Sequence, residues 1–321
     1  MTSLARPSGP QVASRFHRRA GLPLVTLTVV AALVALLGAA CSSDDTGTSA
    51  DGGTTKTSQA PATLTTAIER SAGYFQERPP RGDVGFLIGQ ASMHLSPAFR
   101  RWSEAMQPDP AVTQAMKDPA ALQYLEATMW MQRGQQHQPW APLAAPPVTP
   151  SSKPSALTDD ELSGVTQVMS MALKCDQLNP TQRQQWLDRL STPSHSYLLT
   201  HQLLSLVWGR NAGCLTDAEA APLRTALATA LYAELLADGT TVNDLSLERM
   251  AMLCYADLCD WVSDAQTDAV RTKQHADGSW GDGSVPIHPN AFVPPEHTAG
   301  LGFYVLAMKW DPSSPPPSPP A

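Results

Sequence analysis

Two imidazoles in this chain sit where chemistry could be done. His201 shares a helical stripe with Tyr197, Leu204 and Trp208, so its ring is expected to point inward. A core histidine with one satisfied hydrogen bond is the plain structural outcome for it. His297 opens a helix in Glu296-His297-Thr298, where the positive end of the helix dipole is expected to keep the ring neutral. A neutral imidazole is what a metal ligand or a general base needs. If the helices close around a central cleft, His201, Asp277 and His297 would form a two-histidine, one-carboxylate set. Such a set could work as acid and base, or hold a divalent transition metal such as zinc. The other polar candidates are blander. Asp257, beside an apolar stripe, is expected to cap or pair; Asp282 and His288 are expected to be solvated in a loop; Arg100 and Arg101 beside Trp102 look like an exposed helix edge. No Gly-x-Ser-x-Gly elbow, phosphate loop, His-Glu-x-x-His or calcium-loop spacing occurs, so no motif names a reaction.

The cysteines speak to location. Arg6, Arg15, Arg18 and Arg19 precede the uncharged run Leu22 to Leu37, and Gly38-Ala39-Ala40 leads into Cys41. A basic start, an apolar core and small residues at a cut form an export signal. A Cys directly after the small residues makes it a lipoprotein signal, although Gly38 stands where a Leu is usual. The Cys41 thiol would take a diacylglycerol and then palmitate-type acyl chains. A retained transmembrane anchor and ordinary cleavage are the alternatives. Ser42 gives no inner-membrane retention signal, so the expected address is extracytoplasmic, on the cell membrane or an outer membrane. Four cysteines then remain of the five: Cys175, Cys214, Cys254 and Cys259. An even number in an oxidising compartment suggests disulfides. Cys254 and Cys259 are expected to share a helix, about 140° apart on its surface, and so not to bridge each other. Two bonds from their helix to Cys175 and Cys214, or one Cys175–Cys214 bond with two buried thiols, remain open.

The elements that would position these residues are helical throughout. The expected layout is a signal over 1–40, a flexible tether over 41–61, a helical domain over 62–311 and a disordered Pro-rich tail over 312–321. Within the domain, 135–155 is rich in Pro, Gln and Ser and is expected to be a surface crossover or flexible insertion. Thr158 with Glu161 and Thr216 with Glu219 read as capping boxes, and Asn179-Pro180 as a cap with Pro at the first helical position. No segment alternates with period two between turn signals, so no strand is expected. The fold class is all-α, with helical hairpins packed as an array or ring.

The string Gln274-His275-Ala276-Asp277-Gly278-Ser279-Trp280-Gly281, followed by His297-Thr298 opening a helix, resembles α/α-toroid proteins such as terpenoid cyclases and protein prenyltransferases. The resemblance implies an α/α toroid or partial ring in which Gln274 and Trp280 tie one helix to the next. In the prenyltransferase branch the positions of Asp277 and His297 carry zinc ligands, but Ser279 replaces the expected Cys, and a hydroxyl is a poor zinc ligand. Tyr197-Leu198-Leu199-Thr200-His201 is similar to a motif of uncharacterised secreted helical-ring families, which implies no reaction.

The net charge is −7 with the cationic signal included, so the mature domain is acidic and nucleic acid is excluded as a partner. The remaining partners are the membrane, a cell-envelope protein or a small-molecule ligand. A binding or structural module is the leading expectation. An enzyme acting on an isoprenoid, glycan or peptide is the alternative.

Overall fold

The computed structural model describes residues 63–117, 124–281 and 283–321. The signal, Cys41, the tether and Asp282 lie outside them. The described residues hold twelve α-helices: α1 (Leu64–Gln76), α2 (Gly82–Leu95), α3 (Pro97–Ala105), α4 (Pro110–Ala115), α5 (Tyr124–Met131), α6 (Asp159–Leu173), α7 (Pro180–Ser191), α8 (Ser196–Asn211), α9 (Asp217–Asp238), α10 (Asp244–Tyr255), α11 (Asp264–Thr272) and α12 (Pro295–Met308). Among the described residues the protein is all-α apart from one small hairpin. No described helix is long and apolar enough to cross a membrane.

Five helix starts are fixed by reciprocal caps: Thr158/Glu161, Asn179/Gln182, Thr216/Glu219, Asn243/Ser246 and Ser263/Gln266. In each, two backbone N–H groups that the helix leaves orphaned are satisfied by side chains. Pro222 lies inside α9 without displacing its start, and α9 stops at Gly239, which takes φ +60. From α7 onward the chain steps alternately between an outer and an inner row. Helices α8, α10, α12 and α2 are buried on nearly all sides and pack successively on one another, with α6 beyond α8. Helices α7, α9, α11 and α1 lie outside them.

The Gln274–Trp280 segment ties α1 to α11 of the outer row. Gln274 donates from Nε2 to Ala67 O in α1 at 2.9 Å, and Trp280 donates from Nε1 to Val270 O in α11 at 2.7 Å. Gly278, at φ +90, passes so close to α1 that a Cβ would fall 2.2 Å from Arg70 O.

Several expectations are corrected. Cys254 and Cys259 do bridge each other, with Cα atoms 4.0 Å apart, alongside a Cys175–Cys214 bond. The helix expected to carry both ends at Tyr255. Asp257 then takes φ +57 and turns the chain, so Cys259 returns over the last turn of α10. A two-stranded antiparallel hairpin, β1 (Val285–His288) and β2 (Ala291–Val293), occupies the loop where no strand was expected. Its strands are short and Pro-flanked, which hid the period-two signal. They form because Ala291 and Val293 pack on Leu157, Leu162, Tyr197 and Leu245. His288 is therefore buried, not solvated, and its Nε2 lies 2.9 Å from Asp159.

The segment 135–155 is an extended strap pinned along the surface. The guanidinium groups of Arg210 and Arg224 lie over the Trp140 ring, 4.1 and 4.9 Å from its centroid, and the Trp140 backbone N–H donates to Asp257 at 2.7 Å. The Pro-rich tail, expected to be disordered, runs along α1. Thr65 donates to Pro315 O, Ser318 N to Glu69, and Gln76 to Ala321 O. A proline-rich strand has carbonyls but few N–H groups, and the polar face of α1 supplies the missing partners.

Candidate functional site

The first turns of α2, α8, α10 and α12 meet at one point. Tyr197 and His201 stand four residues apart on α8, and Asp244 and Glu248 stand four apart on α10. Four residues return a side chain to the same helix face. The two helices lie in register, so Tyr197 meets Asp244 and His201 meets Glu248. The Tyr197 hydroxyl donates to Asp244 Oδ2 at 3.0 Å, and His201 Nδ1 lies 3.2 Å from Glu248 Oε1. From α12, His297 Nδ1 reaches Asp244 Oδ1 at 2.9 Å and the Thr298 hydroxyl donates to the same oxygen at 2.6 Å. From α2, Asp83 stands 3.9 Å from His297 Nε2.

The cleft above this floor has a volume of about 190 Å³. Its walls are apolar: Leu162, Val165 and Met169 from α6, and Ile287, Phe292 and Val293 from the hairpin. His201, His297, Glu248, Asp83 and Arg81 supply its polar lining. The small hairpin thus covers one side of a cleft whose floor is built by helix N-termini.

Burial and charge compete on the floor. Burial would raise the Asp244 carboxyl, but the His297 charge and the hydrogen bonds from His297, Thr298 and Tyr197 hold it below its ordinary value. Burial would lower His297, yet Asp244, then Asp83 and Glu248, push it up to about 10. His201 is opposed by burial and by His297, and raised overall by Glu248 and the Tyr197 carbonyl. Burial and the Asp244 and Glu248 charges push the Tyr197 phenol well up. The expectation that the helix dipole keeps His297 neutral is thereby corrected. A carboxylate in direct contact outweighs the partial charge of a helix end.

Of the three residues expected to act together, His201 and His297 line the same cleft and Asp277 does not. Asp277 Oδ1 accepts from Ser279 N at 3.0 Å and from the Ser279 hydroxyl at 2.6 Å, so it shapes its own turn. Asp244 and Glu248 take the place assigned to it. Their signal was present as two acids four residues apart in a helix that is otherwise apolar on that face. Asp257 pairs as expected, 3.1 Å from His137, while Arg100 and Arg101 are exposed.

One oxygen on this floor is unsatisfied. Glu248 is 3% exposed, and its Oε1 accepts from the Thr200 hydroxyl, but among the described residues nothing hydrogen-bonds its Oε2. A buried carboxylate oxygen without a donor costs free energy that a ligand N–H, O–H or cation would recover.

Comparison of the chain with protein-family models, curated proteins and solved structures finds no match. The chemistry of the cleft is therefore read from its geometry.

Proposed function

We propose that the protein is a lipid-anchored binding module of the cell envelope, tethered through Cys41, that takes a small and mainly apolar molecule with a polar head into this cleft. The observation that carries the reading is the pairing of an apolar wall with a polar floor of His201, His297 and Glu248. Pockets that bind small molecules combine these two linings, and about 190 Å³ suits a compact ligand. The export signal and the even cysteine set support an oxidising, extracytoplasmic address. The alternation of inner and outer helices supports reading the fold as a partial α/α ring.

Two measurements test this. In cells fed an alkyne fatty acid, the wild type should take up label and sediment with membranes, and Cys41→Ala should do neither. Label retained by Cys41→Ala would sink the anchor. For the cleft, methionine-methyl spectra of the protein in lipid nanodiscs are followed while hexanol is added. Met129 and Met169, which line the cleft, should shift, Met308 should not, and Val165→Trp should abolish the effect. Equal shifts at all three methionines would refute the pocket.

A second reading is an enzyme, acting on an isoprenoid, glycan or peptide, in which His201 moves a proton. His201 donates through Nδ1 to the Tyr197 carbonyl at 2.7 Å, and among the described residues nothing hydrogen-bonds its Nε2. A ring fixed at one nitrogen and open at the other is the geometry of a general acid or base.

A further inference from the structure

The geometry points to a site for a first-row divalent metal ion formed by Asp244, Glu248 and His297, an inference that rests on the cleft being a ligand site and names what its floor would hold. One ligand atom from each residue lies within 4.8 Å of the others. Metal–ligand bonds of about 2.0–2.2 Å put neighbouring donors about 3.0–3.6 Å apart, so the widest pair would have to close by up to about 1.5 Å for one ion to touch all three. The donor set is two carboxylates and one imidazole, which suits zinc or manganese better than a soft ion such as Cu(I).

Each donor already has a partner that aims it. Asp244 is fixed by Tyr197 and Thr298, and Glu248 by Thr200 and His201 through Oε1 alone. His297 sets Nδ1 2.9 Å from Asp244 and leaves Nε2 3.9 Å from Asp83, a charge contact beyond hydrogen-bond reach. The bond between His297 and Asp244 accounts for Asp244 in the absence of a cation. It does not account for Glu248 Oε2, a buried acceptor without a donor on the same floor. An ion at this point would take the place of the proton that Asp244 now holds on His297, satisfy that oxygen, and leave its remaining positions open through the cleft to water or a ligand head.

The test is calorimetric. The lipoprotein in nanodiscs is stripped with EDTA, freed of chelator and titrated with zinc chloride and, separately, with manganese chloride. One equivalent of one of these ions should bind with micromolar or tighter affinity. Glu248→Gln should weaken that binding by more than about tenfold, and Tyr197→Phe, which keeps all three ligands and loses only an orienting hydroxyl, by about 10- to 100-fold. Arg100→Ala, on the exposed edge of α3, should bind like the wild type. Circular dichroism melting shows which variants are folded, and Tyr197→Phe decides the matter if Glu248→Gln is not. Failure of the stripped wild type to bind either ion, or affinity unchanged in the folded floor variants, would overturn the site. Hexanol-induced shifts at Met169 in the metal-free protein keep the two ideas separate. Shifts without ion binding refute the metal and leave the pocket, and ion binding without shifts does the reverse.

Discussion

Trp280 offers the sharpest test of how the two ends of the helical domain are held. Its indole is 1% exposed, donates to Val270 O at 2.7 Å, and lies so close to Gly302 of α12 that a Cβ there would fall 2.5 Å from Cε3. Trp280→Ala removes a fully buried aromatic and leaves a cavity, a loss of about 3–5 kcal/mol. The Val270 carbonyl also loses its donor, which places the cost toward the upper part of that range. Domains of ordinary stability hold about 5–15 kcal/mol in total, so this one change would consume a large part of the margin. Gly302→Ala should cost about 1–3 kcal/mol for the opposite reason, overpacking against the same ring. Because both substitutions act on one contact, Trp280→Ala combined with Gly302→Ala should cost less than the sum by at least about 0.5 kcal/mol, since the new methyl enters the space the indole vacates. Urea unfolding followed by far-ultraviolet circular dichroism measures all four corners of the cycle. Strict additivity, or a Trp280→Ala cost below about 1 kcal/mol, would refute the packing argument.

Other expectations are quickly checked. Peptide mapping without reductant should find Cys175 joined to Cys214 and Cys254 joined to Cys259; a bond between the pairs would show that α10 does not end where described. Gly278→Ala should destabilise by about 2 kcal/mol or more, since a methyl there meets Arg70 O and the backbone is at φ +90; a melting temperature equal to wild type would contradict the close approach. The Glu219 carboxyl is held down to about 2 by the Thr216 backbone N–H, Arg183 and the Thr216 hydroxyl. Its folded value lies below the ordinary 4.5, so its contribution is fully present above about pH 4.5 and is lost as pH falls through about 2. Carboxyl-carbon NMR should show Glu219 still ionised at pH 3, and a midpoint near 4.5 would disprove the cap.

Much of the helical layout was legible because its signals are local. The cap pairs Thr158/Glu161 and Thr216/Glu219 and the Asn179-Pro180 start lie within a single turn, and no distant contact is needed to read them. The hairpin was not legible because its stability comes from Leu157, Leu162 and Tyr197, which are far away in sequence. The Cys254–Cys259 bond depends on one backbone angle at Asp257, and nothing in the residue type demanded it. At the site, the inward direction of His201 follows from periodicity, and His297 was found by its place at a helix start. Asp244 and Glu248 were missed because their meaning depends on the register of α10 against α8, which only the packed structure sets. Asp277 misled for a related reason: a carboxylate in a turn can satisfy its own backbone, and here it does.

The Pro-rich tail on α1 has a mechanical consequence. A pull on the chain ahead of Leu64 enters the domain through α1. Residues 65, 69 and 76 bind the tail, while Ala67 O and Ser71 bind the Gln274–Gly278 turn. Strain entering at α1 is thus shared between the last ten residues of the chain and the Gln274–Gly278 turn. The far end of the polypeptide works as a buckle on the near end, which keeps a tug ahead of Leu64 away from the cleft.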